Sequence, residues 1–178
     1  MFTVEQASLI VVDVQGKLAT IVEDSETVIQ NVAKLVQAMK ALDVPMLWLE
    51  QNPSRLGGTA LEIAQHLQGA PMAKMAFSAC QEQAFIDAVK ASGRTQFIVT
   101  GIEAHICVYQ TARQLKEQGF EAEVVVDAVS SRTKANKEIG LDKMKALGIL
   151  PTSTEMILYE LLQGANHPHF KTVLQLVK

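Results

Sequence analysis

Short unbroken apolar runs alternate along the chain with longer stretches in which apolar residues recur every three or four positions. Residues 8–14 (S-L-I-V-V-D-V) hold the run Leu9 to Val12 and read as a strand buried on both faces. Residues 27–42 carry Val32, Leu35, Val36, Met39 and Leu42 at helical spacing. Further strands are predicted over 45–50 (P-M-L-W-L-E), 95–101 (T-Q-F-I-V-T-G), 121–128 (around V-V-V) and, briefly, 149–153. Helices are predicted over 81–92, 105–118, 134–147, 154–162 and 167–177. The first three of these end at Gly93, Gly119 and Gly148. Residues 52–58, with one proline and two glycines, form a loop by composition. Strands alternating with helices over short connections imply right-handed crossovers and a parallel sheet covered on both sides. The expected fold is a three-layer α/β/α domain over residues 1–178, with a mostly parallel sheet of about six strands. In such a sheet ligands bind at the carboxyl ends of the strands.

Composition narrows the class further. The 178 residues are 48% apolar and 20% charged, which excludes disordered, collagenous and coiled-coil chains. A net charge of −3 with scattered Lys and Arg argues against a nucleic-acid or anionic-membrane surface. No apolar run is long enough to span a bilayer, and residues 1–8 lack the basic and apolar segments of a secretory signal. Two cysteines make no disulfide framework, so a reducing cytoplasm is the expected setting.

Three positions stand out for chemistry. Asp13 follows four apolar strand residues, where a carboxylate either points into the ligand crevice or caps the next loop. Cys107 lies just beyond the turn that ends the 95–101 strand, at the opening of a helix. There the dipole and free amides would lower a thiol pKa and could hold an oxyanion; the alternative is a small buried hydrophobe. Lys74, in a mostly apolar stretch, either reaches solvent or places its ammonium beside an acid. Cys80, before the helix over 81–92, shares some local features with Cys107. Asp127 resembles Asp13 locally, but Ser130, Ser131 and Arg132 follow it and could satisfy it structurally. His66, His105, His167 and His169 include no H-x-x-x-H pair, so no metal site is expected. Phosphate-binding glycine motifs and a G-x-S-x-G elbow are also missing.

Taken in order, D-V-Q at 13–15, K-x-x-F-S-A at 74–79 and G-I-E-A-H-I-C at 101–107 resemble the isochorismatase-like cysteine hydrolases, over about residues 7–177. The likeness is nearest to the small isochorismatase-domain-containing proteins, through E-Q-N-P-S-R-L-G-G-T (50–59), V-D-A-V-S-S-R (126–132) and H-P-H-F-K (167–171). The order of the motifs carries the resemblance; each alone is weak.

The resemblance implies a Rossmann-like fold and an Asp–Lys–Cys triad. Asp13 would be the general base, Lys74 the cation between acid and thiol, and Cys107 the nucleophile. It also implies a cis peptide at Ile102–Glu103, with the amides of Glu103 and Cys107 as oxyanion donors. Gln15 and Phe77 would border the substrate. No metal or other cofactor is implied. Nicotinamidase relatives carry a D-x-H cluster after the second strand, whereas this chain reads W-L-E-Q-N-P-S there and has no histidine before His66. A cysteine nucleophile suits an amide, carbamoyl or ester carbon. The competing readings are vinyl-ether hydrolysis without a covalent step, and a non-catalytic ligand-binding or redox-sensing protein. The expected partners are a small-molecule substrate and further copies of the chain, in a dimer or larger assembly with pocket walls at the interface.

Overall fold

The structure, a computed structural model, describes every residue from Met1 to Lys178. Its centre is strand β1 (Ala7–Val12), buried along its whole length. Leu9 and Val11 enter the core on one side of the sheet, Ile10 and Val12 the core on the other. Two buried faces are why this strand reads as an unbroken apolar run instead of an alternating one. Around it lie β2 (Met46–Gln51), β3 (Met72–Lys74), β4 (Gln96–Ile102), β5 (Glu121–Ser130) and β6 (Leu150–Thr152). The spatial order is β3-β2-β1-β4-β5-β6, and every neighbouring pair is parallel.

Helices cover both sides. Short turns α1 (Leu18–Ile21), α3 (Pro53–Leu56) and α4 (Leu61–Ala64) accompany the long α2 (Ser25–Ala41). With α8 (Thr154–Leu162) and α9 (Phe170–Val177), α2 closes the core that contains Leu35, Val36, Met39, Ile157, Leu161 and Val173. The opposite core uses α5 (Gln83–Ser92), α6 (Tyr109–Glu117) and α7 (Lys134–Ala146), through Phe85, Val89, Ala112, Leu115 and Met144.

Several expectations change in detail. Strand β3 escapes the hydrophobic pattern because it is three residues long and ends in a lysine. The helix expected over 105–118 starts with a π-turn, Ala104–Val108, before α6 takes over. Asp127 is structural, but not through the serines that follow it. Its Oδ1 accepts from the Thr154 amide (2.8 Å) and hydroxyl (3.0 Å), capping the start of α8. Ser130 instead donates to the Glu23 carbonyl, and Arg132 bonds Glu103.

The chain leaves β1 towards β2 and β3 on one side, then returns to β4, β5 and β6 on the other. Connections from β1 and β4 therefore diverge, opening a crevice above their carboxyl ends. At its floor the two strands come very close. Gly101 has φ 113, and a Cβ there would lie 2.0 Å from the Val12 carbonyl oxygen, so only glycine fits.

Candidate active site

Three chain segments end at this crevice, and each delivers one polar residue. Asp13 is the first residue past β1. Its φ of 51 is left-handed, a conformation aspartate tolerates better than most residues, and the chain turns there out of the strand. Lys74 is the last residue of β3, and Cys107 sits within the π-turn after β4. All three are buried: Asp13 is 1%, Lys74 2% and Cys107 7% exposed.

Lys74 Nζ lies 2.8 Å from Asp13 Oδ2. It also donates towards Gln51 Oε1 (2.6 Å) and the carbonyls of Phe77 (3.0 Å) and Ala76 (3.2 Å). An ammonium has three protons, so these acceptors absorb its full donor capacity and keep a buried charge solvated by protein dipoles. Gln51 is itself held, donating from Nε2 to the Met75 carbonyl. Glu82 Oε1 accepts the amides of Met75 (2.9 Å) and Ala76 (3.0 Å), fixing the turn whose carbonyls hold Lys74.

Burial raises the Asp13 pKa above the usual carboxylate value, opposed by Lys74 and, more weakly, by hydrogen bonding with the Cys107 thiol. Beyond Lys74, the groups that face the Asp13 oxygens are the Cys107 thiol and the Gln51 main chain. The thiol departs from the sequence expectation. Burial pushes Cys107 up to about 12, the negative charge of Asp13 adds to this, and Lys74 opposes it. Desolvation outweighs the helix-terminus effect because the first turn is buried instead of open to water. The setting of Cys107 beside Asp13 thus favours the protonated sulfur. Cys80, with its thiol near the Thr111 carbonyl (3.7 Å), is pushed up to about 11 by burial.

The Ile102–Glu103 peptide is cis. The Glu103 amide makes no hydrogen bond within the chain. The Glu103 carboxylate is buried and accepts at Oε1 from the Arg132 amide and Nε, each at 3.0 Å. His105 Nδ1 pairs with Ser131 Oγ at 2.9 Å. Helix α7 reaches this turn through Gly140, where a Cβ would meet His105 Cα at 2.8 Å and the Ala104 carbonyl at 2.9 Å.

Two expected substrate contacts part company. Gln15 is fully buried, with Nε2 donating to the Gln51 (3.0 Å) and Gly57 (2.6 Å) carbonyls and Oε1 accepting from the Gln51 amide (2.6 Å). Both Nε2 protons and one Oε1 lone pair go to the main chain, so it latches the 51–58 loop to the segment that follows β1. Phe77 is exposed, on the turn that holds Lys74, as are Met75 on that turn and Leu56 on the loop after β2. Sequence reasoning missed Gln51, Glu82 and Glu50, whose Oε1 accepts from the Thr59 amide and hydroxyl, both at 2.7 Å. The placement of Glu50 and Gln51 at the carboxyl end of a strand was the available signal.

No group of three or more His, Cys, Asp and Glu side chains is placed to hold a metal ion, and no helix is long and apolar enough to cross a membrane. A hollow of about 480 Å³ lined by Met39, Pro45, Trp48 and Arg94, among others, opens near the amino end of β2, away from the triad.

Comparison with known proteins identifies the family and the fold. The isochorismatase domain model matches residues 7–156. Isochorismatase domain-containing protein 2 of Danio rerio is 35% identical over 170 residues, covering 95% of this chain and 85% of the relative. The secreted isochorismatase effector Isc1 of Phytophthora sojae is 34% identical, covering 96% of this chain and 83% of its own. Among solved structures, the MAR1 ribonuclease of Caenorhabditis elegans superposes with a TM-score of 0.94 at 32% identity, covering 99% of this chain and 91% of that one. The YcaC gene product of Escherichia coli, described as an octameric hydrolase of unknown specificity, shares the fold at 23% identity with a TM-score of 0.87, over 98% of this chain and 94% of its own. With the domain model spanning most of the sheet and a relative at 35% identity along nearly its whole length, this chain belongs to the isochorismatase family.

Proposed function

We propose that the protein is a cysteine hydrolase of small amide, carbamoyl or ester substrates, working without a metal through a thioester on Cys107. The observation that carries this reading is the buried Asp13–Lys74 pair at 2.8 Å beside the Cys107 thiol. Asp13 takes the thiol proton as sulfur attacks the substrate carbonyl. It returns that proton to the leaving amine or alcohol, and activates water for the second half-reaction. Lys74 keeps Asp13 ionised in its buried setting and offsets the charge on sulfur. The amides of Glu103 and Cys107 receive the oxyanion. A thiol pushed up to about 12 suits this sequence, because the proton leaves only as the bond to carbon forms.

The small-molecule reading is preferred to a nucleic-acid substrate. A net charge of −3 offers little to neutralise a phosphate backbone, although a structural neighbour is named a ribonuclease. Exposed Leu56, Met75 and Phe77 favour a homo-oligomer in which a second copy covers the site rim. A cytoplasmic setting fits two free cysteines.

The raised pKa of Asp13 favours a second reading, acid-catalysed vinyl-ether cleavage with no covalent step. Cys107→Ser separates the two. The thioester route predicts a loss of at least about a thousandfold in turnover of an amide and aryl-ester panel, about 4 kcal/mol in barrier. It also predicts an acyl adduct on Cys107 by mass spectrometry. A variant retaining most of the rate would refute the nucleophile.

A further inference from the structure

The segment that follows Lys74 is fastened on three sides. Its Ala76 and Phe77 carbonyls accept from the Lys74 ammonium (3.2 and 3.0 Å). On the β2 side, the Met75 carbonyl accepts from Gln51 Nε2 (2.8 Å). Further on, Ser78 Oγ donates to Gln114 Oε1 (2.7 Å) and the Ala79 amide to Thr111 Oγ1 (3.0 Å). Both acceptors lie on α6, the helix that continues from the Cys107 turn. Residues 74–79 thus tie the ammonium to the helix that carries the thiol. The third fastening is Glu82 Oε1, the shared acceptor of the Met75 and Ala76 amides at 2.9 and 3.0 Å.

Glu82 serves this turn and not its own helix. It stands at the N-cap of α5, yet its side chain bonds none of that helix's amides and reaches back six and seven residues instead. The Ala76 and Met75 amides hold its carboxyl below the usual value, and Lys74 adds to this, so the oxygen remains an acceptor in mild acid. Resting on the hydrolase reading above, we propose that Glu82 is a positioning residue of the triad. By holding the Met75 and Ala76 amides it aims the Ala76 and Phe77 carbonyls at Lys74, and so fixes the ammonium against Asp13. One oxygen accepts both amides, which an uncharged carbonyl oxygen also does, so the role is geometric and glutamine fills it.

The test is hydrolysis of p-nitrophenyl acetate across pH by the wild type, Glu82→Ala and Glu82→Gln, with urea unfolding to confirm that each variant is folded under assay conditions. A displaced catalytic group costs about a hundredfold per ångström, so Glu82→Ala should lower kcat by roughly tenfold to hundredfold and change KM less than about threefold. Asp13 is faced by Lys74, the Cys107 thiol and the Gln51 main chain, and Lys74 is the cation among them. With the ammonium loosened, the Asp13 carboxyl should titrate about half a unit to one unit higher and carry the acid limb of kcat/KM with it. Glu82→Gln should recover most of kcat and leave that limb in place. A second arm needs no turnover: 13C NMR titration of the Asp13 carboxyl in aspartate-labelled protein, assigned with Asp13→Asn. An unchanged kcat in Glu82→Ala, or a lowered kcat with the Asp13 titration unmoved, overturns the positioning role. Glu82→Gln as impaired as Glu82→Ala overturns it too, because charge and not the held turn would then matter. If the ester is not hydrolysed, the hydrolase reading fails by itself, and the NMR titration still decides whether Glu82 governs the Lys74–Asp13 pair.

Discussion

Replacing Lys74 with methionine keeps much of the side-chain volume but strips the ammonium from the buried pair. Asp13 then sits 1% exposed with no cation, facing the Cys107 thiol and the Gln51 main chain. Breaking a buried pair from one side costs about 3–5 kcal/mol, because the remaining charge stays desolvated. The carboxylate can escape by taking a proton, which ties the cost to pH. Asp13 is already raised above 3.8 by burial, and Lys74 opposes that rise. Without Lys74 the folded-state value climbs further while the unfolded value stays put. A raised folded pKa means stability is greatest below the unfolded pKa and is lost as pH rises through the folded one. The destabilisation of Lys74→Met should therefore be larger at pH 7 than at pH 4, by up to about 1.4 kcal/mol for each unit of additional shift. Urea unfolding at several pH values, read by circular dichroism, measures it. Adding Asp13→Asn should recover much of the loss at pH 7. A penalty that is the same at pH 4 and pH 7, or unrelieved in the double variant, would mean the lost interaction is packing and not charge.

Three other outcomes follow from the same geometry. Asp13→Asn removes a negative charge that raises the Cys107 pKa, so alkylation of Cys107 by iodoacetamide at pH 8 should speed up while ester turnover falls; Cys80 labelling should not move. In the wild type, the logarithm of the Cys107 labelling rate should keep climbing between pH 7 and pH 10, since the thiol is pushed up to about 12. A plateau below pH 9 would contradict the buried-thiol picture. Gly140→Ala places a methyl 2.8 Å from His105 Cα, and the shift it forces on the nucleophile turn should lower kcat more than it raises KM in steady-state assays.

The alternation of apolar runs and amphipathic stretches determines the layers, because a strand buried on both faces must be apolar throughout and a covering helix on one side only. That is why β1, β2, β4 and β5 are legible in the chain, and why three-residue β3 is not. The order of the motifs around Asp13, Lys74 and Cys107 likewise marks the polar residues that the carboxyl ends of the strands bring to one crevice. What the residues could not tell by themselves is how these groups behave once assembled. Lys74 finds Gln51, 23 positions earlier in sequence, only when β3 lies beside β2, and Asp13 only when the sheet is assembled. The Cys107 thiol is raised and not lowered because burial of the turn, a property of how α6 and α7 pack, exceeds the local helix-end effect. Gln15 gives its amide protons to the main chain of a loop 36 to 42 positions away, a partnership that its place in the motif does not announce. The local sequence sets which groups arrive at the site; desolvation and long-range hydrogen bonds, which exist only in the folded chain, set their protonation and their partners.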